Sequence, residues 1–518
     1  MKWLIVEDAL RDRKGHWLEY VSTFVRELRA LGDEVVVLCD RKAQGFVMEQ
    51  TGARPVLPES IWHRMGDGAG ALKRYLRVPG HAWATFVAVR KVFREQFLVS
   101  PATSNPQPPA CGVRRLLHQV ATAPAAQALD TRRVRQWNVQ PVESEKNTPP
   151  AKHIPTGSTL DSSPASLDWI FVPTLLVHHL LGWWLLLKTG SVPRESRVLL
   201  FFPNLPIRLG DEGQPHWTGG PTTKLMAWLF AQLRGEVENG KVVLGVETHA
   251  MWRALAGLIR MPVTYLPHPV EAQGETRVER RESRASSPAT SYSPPGTSAK
   301  PIVFGCYGAA RWEKGSDIFQ EAIRLILSNE VSSAECRVSS VRNQSAAGLS
   351  EPVTRDSLPA TAAGRPLRFA IQWVEDFQDD SVNLVSIDPW LRDHPRVEVI
   401  GRYFEGDEYE RRLAQTDVMV LPYRKPYQLR VSRVVIEAML NGMPVIATRG
   451  TTLFEQAEEY GEVLGCKEGD AESLAEAMLE VAERFEVLRA SAEEKVNAAA
   501  ESFSVGYFRK LISKQNNS

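Results

Sequence analysis

The sequence predicts an α/β protein built from two Rossmann-like lobes, joined by a linker and interrupted by biased inserts. Three observations predict it. Strand, amphipathic helix and strand follow one another within residues 1 to 40. The same grammar starts again at residue 301. Between them lies a charged, then Ser/Pro-rich stretch, RVERRESRASSPATSYSPPGTS, whose composition is that of a linker.

The first lobe opens on KWLIVE, an apolar strand, and a polar loop holding Lys14, Gly15 and His16. A helix is predicted over roughly 16 to 31, because Val21, Phe24, Val25 and Leu28 share one face at helical spacing. Gly32 stops it, and EVVVLC is the next strand. A strand–helix–strand unit of this size implies a parallel sheet with a right-handed crossover. The loop after the first strand then lies where open α/β sheets bind ligands.

From 99 to 166, Pro, Ser, Thr, Ala and Gln dominate, and the pattern reads as a mostly disordered insert, with a short helix conceivable over Val113 to Leu129. The apolar stretch VPTLLVHHLLGWWLLLK, 172 to 188, is barely long enough to span a bilayer and carries two histidines and a glycine. It reads as a buried helix, the competing reading being contact with a membrane surface through Trp183 and Trp184. RVLLFFPN (197 to 204) is a strand, Thr222 to Leu233 a helix, KVVLGVET a strand, HAMWRALAGLI a helix, and PVTYLPHPV a last strand that closes a first domain over 1–270. The linker covers 271–300.

The second domain, 301–490, reads strand IVFGCYG, a turn, helix IFQEAIRLIL, a biased insert at 331–366, then strands LRFAIQW, VEVIGRY, DVMVLPY and PVIAT. Helices YERRLAQT, RVSRVVIEAMLNG, FEQAEEYG and GDAESLAEAMLEVAERF alternate with them, and 491–518 supplies a C-terminal helix.

Composition excludes several classes. At 518 residues the chain is too long for one ordinary core. Lys and Arg number 62 against 61 Asp and Glu, which argues against a dedicated nucleic-acid binder. Cys39, Cys111, Cys306, Cys336 and Cys466 are scattered, with no CxxC, as in a cytoplasmic protein with reduced thiols. The N-terminus lacks the apolar core of a signal peptide. No His/Cys cluster has metal-ligand spacing, so no metal site is expected. No GxSxG and no P-loop occurs.

The chemistry concentrates on GCYGAARWEKGSD, Gly305 to Asp317. A glycine-bearing turn between strand and helix aims backbone N–H groups at the sheet edge, and the helix start favours an anion. Gly308 and Gly315 let the backbone approach a ligand. Arg311 and Lys314 place two cations where the helix dipole alone would disfavour them, and an anionic ligand reverses that sign. The physical reading is a pyrophosphate pocket. Glu437 stands at the margin of a helix face made by Val431, Val434, Val435 and Ala438. An acid there can accept two hydrogen bonds from a ribose diol, or it can simply pair with Arg433 or Arg430.

Together, the Arg311-Trp312-Glu313-Lys314-Gly315 turn, the DVMVLPY strand and the run IEAMLNGMPVIAT resemble the donor-binding domain of GT4-like retaining glycosyltransferases (glycosyl transferases group 1). The resemblance covers roughly 301 to 480, more weakly 1 to 40 and 240 to 270. It implies the GT-B fold, two Rossmann-like domains facing a cleft. It implies that Arg311 and Lys314 bind the donor diphosphate and stabilise it as leaving group, and that Glu437, the second acid of Glu-x7-Glu, holds the ribose. The loop with Gly15 and His16 matches the family's glycine loop near donor and acceptor. The C-terminal stretch SFSVGYFRKLI resembles the family's last helix, which crosses back to the first domain. The first acid of the motif would fall on Leu429, and Ser432 replaces the usual glycine. Tyr427, Arg430 and Ser432 fit a Tyr…Arg-x-Ser form of the same region. The family's cleft histidine has no counterpart at the end of RVLLFFPN, where Asn204 stands; His216, His249 and His268 are the candidates.

The expected function is therefore a metal-independent, retaining transfer of a sugar from a nucleotide-diphosphate sugar to a glycan or lipid-linked glycan, with no cofactor and no nucleic-acid partner. The expected location is cytoplasmic, with peripheral contact at the inner membrane face as an extension. The absence of Asp-x-Asp agrees with charge neutralisation by Arg311 and Lys314. Two competitors are a non-catalytic sugar-nucleotide or glycan-binding protein of the same fold, and a dinucleotide-dependent oxidoreductase. The second lacks a GxGxxG after its first strand.

Overall fold

A computed structural model of the chain describes residues 1–12, 17–61, 71–97, 166–210, 212–270, 300–328, 365–405 and 407–514. Two compact units result, one of Met1–Val246 with Trp252–Thr264, the other of Glu247–Met251 with Tyr265–Ser518. The insert expected at 99–166, the linker at 271–300 and the insert at 331–366 lie outside the described residues, apart from 166, 300, 365 and 366.

The first unit holds a seven-stranded sheet. Its strands are β1 (Lys2–Glu7), β2 (Glu34–Asp40), β3 (Arg54–Leu57), β4 (Trp169–Val172), β5 (Arg197–Phe202), β8 (Val242–Val246) and β9 (Thr264–Tyr265), in the order β3-β2-β1-β4-β5-β8-β9. Strands β6 (Ile207–Leu209) and β7 (Pro215–Trp217) form a separate antiparallel hairpin. The pairs β1–β2, β1–β4, β4–β5 and β5–β8 are all parallel. Central strands are buried along nearly their whole length, as parallel strands covered on both faces must be. The order runs outward from β1 in two directions, so β1 and β4 flank the point where ligands bind in such sheets.

The first helix runs Trp17–Ala30, and Gly32 follows at φ +81°. The apolar stretch at 172 to 188 divides into the end of β4 and a helix, Val177–Lys188. Its Trp183 and Trp184 are each 1% exposed, so the surface-docking reading of these two indoles is wrong: they are core. Among the described residues no helix is long and apolar enough to cross a membrane. The helix packs on a second, Ala71–Gln96, which sequence patterning missed because Pro79 breaks its rhythm. A Cβ at Gly182 would sit 3.1 Å from the carbonyl oxygen of Ala82, so glycine sets how closely the two helices approach.

The second unit holds a six-stranded parallel sheet. Strands β10 (Ile302–Cys306), β11 (Leu367–Gln372), β14 (Val397–Ile400), β15 (Val418–Leu421), β16 (Val445–Thr448) and β17 (Val463–Cys466) take the order β14-β11-β10-β15-β16-β17. The short pair β12 (Phe377–Gln378) and β13 (Leu384–Val385) is antiparallel. Helix 316–328 packs Phe319, Ala322, Ile323 and Ile326 onto the sheet, the face its spacing predicts. Helix Arg433–Leu440 packs Val435, Ile436, Ala438 and Met439 against a second cluster with Met419, Leu421 and Val445. The predicted helix over RVSRVVIEAMLNG begins only at Arg433, with Ser432 at its N-cap. The last helices are Phe485–Ser502 and Val505–Lys514. An α/β fold with two parallel, Rossmann-like sheets is thus what the chain adopts.

Candidate active site

The turn after β10 is shaped by two glycines. Gly308 has φ +102° and Gly315 φ +65°, values that L side chains rarely adopt. A Cβ on Gly308 would collide with Lys314 Nζ, and a Cβ on Gly315 with the carbonyl oxygen of Pro422. The lysine amine therefore lies directly over the backbone at Gly308. The Gly308 N–H donates to Gln372 Oε1 at 2.7 Å, while the other end of that amide donates to the Arg402 carbonyl at 2.8 Å. Residues Trp312–Lys314 form one 3-10 turn, and helix 316–328 starts directly after Gly315, leaving its first N–H groups at this spot.

Lys314 is half-buried, and no carboxylate among the described residues pairs with it. Its amine lies 5.9 Å from the Tyr423 ring centroid. Burial holds its pKa below the usual lysine range, with the Arg311 cation acting the same way and Glu313 opposing. The Cys306 thiol behind it is pushed up to about 12 by burial, so it is a neutral neighbour. Arg311 is in extended backbone, its side chain 58% exposed and only 3.8 Å from Glu313. The turn thus offers two cations, one held in place and one free to swing.

A third cation, unforeseen from the sequence, braces the turn. Arg424 forms a forked pair with Asp317, at 2.9 and 2.6 Å. It also donates to the Trp312 carbonyl and lies 5.0 Å from the Trp312 ring centroid. Its own N–H donates to the Glu313 carbonyl at 2.9 Å. Nothing in the local pattern of DVMVLPYRKPY marks that arginine, because its partner is far away in sequence.

Glu437 is 9% exposed at one side of helix Arg433–Leu440. Tyr409 donates to its Oε2 at 2.5 Å, and Arg433 Nε lies 2.7 Å from its Oε1. The pairing with Arg433 foreseen as an ordinary helix contact is therefore present. A carboxylate has about four lone-pair sites, and Tyr409 and Arg433 each lie at one of its oxygens. Burial, then the Glu437 charge, raises the Tyr409 pKa well above the usual phenol range. Tyr409 also faces the Tyr307 ring edge-on at 6.4 Å. Tyr307 directly precedes Gly308, so one aromatic path ties Glu437 to the glycine turn.

Leu429 is buried at 7% exposed. Arg430 is exposed, and its carbonyl accepts from the Thr452 hydroxyl, which also donates to the Tyr427 carbonyl at 3.0 Å. Ser432 is buried, and its hydroxyl makes no cap bond. Tyr427 stacks edge-on against Tyr423 at 4.5 Å. Gly15 and His16 lie outside the described residues. Of the candidate histidines, His268 pairs with Glu247 at 2.8 Å, His249 lies 3.5 Å from Glu459, and His216 is exposed.

The expectation that no metal cluster exists rested on sequence spacing, and spacing could not see what the fold assembles. Asp8, His81, His178 and His179 bring one ligand-capable atom each to within 4.8 Å of one another, all buried.

Residues 379–484 match the family model described as Glycosyl transferases group 1. Arg424 and Glu437 lie inside the matched stretch. No curated protein matches the chain. Among solved structures, Alr3699/HepE from Anabaena, crystallised with UDP and glucose, is similar at 11% identity and a TM-score of 0.49, covering 100% of each chain. Sucrose-phosphate synthase (tll1590) from Thermosynechococcus elongatus is similar at 12% identity and 0.46, over 100% of this chain and 98% of its own. A glycosyltransferase from Rickettsia africae ESF-5 gives 10% identity and 0.46, over 100% and 98%.

Proposed function

We propose that the protein transfers a sugar from a nucleotide-diphosphate sugar to a glycan or lipid-linked glycan, retaining the anomeric configuration and using no metal on the donor diphosphate. The observation that carries this reading is the Lys314 amine laid over Gly308 without a carboxylate partner. A half-buried ammonium without a carboxylate partner carries a desolvation cost, and a dianionic ligand offsets it. Lys314 and Arg311 bind the diphosphate and stabilise it as the sugar leaves. The N–H groups at the start of helix 316–328 add to that field. Glu437 accepts from the ribose hydroxyls. The acceptor hydroxyl attacks from the face the diphosphate leaves, and its proton passes to the departing phosphate oxygen. Tyr427, Arg430 and Ser432 are the residues nearest in sequence to the donor sugar's expected place.

The test is a transfer and donor-hydrolysis assay over UDP-, GDP- and ADP-sugars with glycan and lipid-linked acceptors. Lys314→Ala is expected to lower kcat by about 100-fold or more, the scale of losing one charge-stabilising group. Arg311→Ala, being exposed, should cost less. Activity unchanged in both variants would overturn the site. Nucleotide binding without turnover on any acceptor would favour a non-catalytic binding protein instead.

A further inference from the structure

The cluster in the first unit needs its own account. Asp8 directly follows β1, His81 lies on helix Ala71–Gln96, and His178 and His179 lie on helix Val177–Lys188. All four are 3 or 4% exposed. Asp8 Oδ2 is 2.8 Å from His81 Nε2 and 2.9 Å from His179 Nε2. The His178 and His179 rings are 3.9 Å apart, and those of His81 and His178 4.8 Å.

Protein partners do not satisfy this group. Asp8 Oδ1, His81 Nδ1 and His178 Nε2 are buried without a hydrogen-bond partner among the described residues. His179 Nε2 is close to Asp8 but off the line a hydrogen bond requires. Buried polar atoms are ordinarily paired, and each orphan costs about 1–3 kcal/mol. Three imidazoles around one carboxylate cannot all be protonated in a dry core, so lone pairs face one another there. Such a set is frustrated as it stands, and one divalent cation resolves it.

We propose that Asp8, His81, His178 and His179 bind one divalent first-row transition-metal ion. Three imidazole nitrogens and one carboxylate oxygen are a donor set that zinc takes in four-coordinate form. The ligand atoms already lie within 4.8 Å of one another, so a small opening around Asp8 Oδ2 admits the ion. Four protein ligands in a buried place make a closed, structural site. The ion fastens the end of β1 to two helices that flank the sheet.

The test is the metal content of the full chain, purified after tag removal from zinc-supplemented medium. About one zinc per chain is expected, with a lower Tm after chelation and recovery on adding zinc. Cobalt in place of zinc should give the intense visible absorption of a four-coordinate site. His178→Gln and His81→Gln, checked for folding by circular dichroism, should lose the ion and the chelator response. Substoichiometric metal in the wild-type chain, with no cobalt band and no Tm response to zinc, would overturn the proposal. The cluster would then be a buried Asp8–histidine group without an ion, held by the Asp8–His81 hydrogen bond and the Asp8–His179 contact.

Discussion

Lys314 Nζ occupies the space into which a side chain at Gly308 would grow. One residue's missing Cβ therefore determines where another residue's charge sits. Gly308→Ala is expected to cost about 1–3 kcal/mol from its φ of +102° and to push the amine off the turn. Nucleotide affinity should fall more than stability does. Calorimetric titration with UDP or GDP beside a thermal melt checks this; equal affinity in variant and wild type would contradict it.

Arg424 holds Asp317 through a two-point fork that only a guanidinium can make. Arg424→Ala should destabilise the protein by about 1–3 kcal/mol, and Arg424→Lys should recover only part of it. Both should also raise the Kd for nucleotide, because the fork braces the turn that carries Lys314. Denaturant melts of the three proteins give the order; a lysine variant equal to wild type would show that charge alone matters.

Tyr409→Phe keeps the ring packed against Phe404 and Tyr307 and removes only the hydrogen bond to Glu437. Losing a hydrogen bond to a charged group costs about 1.5–3 kcal/mol. The larger effect should be on discrimination: ribonucleotide over 2′-deoxyribonucleotide binding should weaken, since the carboxylate loses its Tyr409 anchor. A variant with unchanged preference would remove Glu437 from the ribose.

Burial lowers the Lys314 pKa in the free protein. A bound diphosphate raises it again, so binding takes up a proton on the alkaline side. Affinity should be full below the lowered value and be lost as pH rises through it, earlier than for an ordinary lysine. Titration calorimetry in two buffers of different ionisation enthalpy measures the uptake. Lys314→Met should abolish it, and identical uptake in that variant would assign the proton elsewhere.

The turn was legible because its signals are local: glycines at fixed offsets, cations beside them, a strand before and a helix after. The sheet strands were legible for the same reason, since a run such as DVMVLPY is apolar without interruption. Arg424, Tyr409 and Gln372 were not, because each acts through a partner brought close only by the fold. The helix Ala71–Gln96 hid behind Pro79, and the β4 strand was merged with the helix after it because both are apolar. The Asp8–His cluster was the least visible, because its members come from three segments on different elements.

Residues 247–251 fold with the second unit although they directly follow β8 of the first. Thr248 donates to the Leu429 carbonyl at 3.0 Å, and Glu247 holds His268. The polypeptide therefore crosses from one unit to the other three times. Dissection by a single cut is ruled out for this chain. A clone of 300–518 would carry the glycine turn and Glu437 yet lose the Thr248 bond to Leu429, so a fragment meant to keep the second unit whole must begin upstream of Glu247.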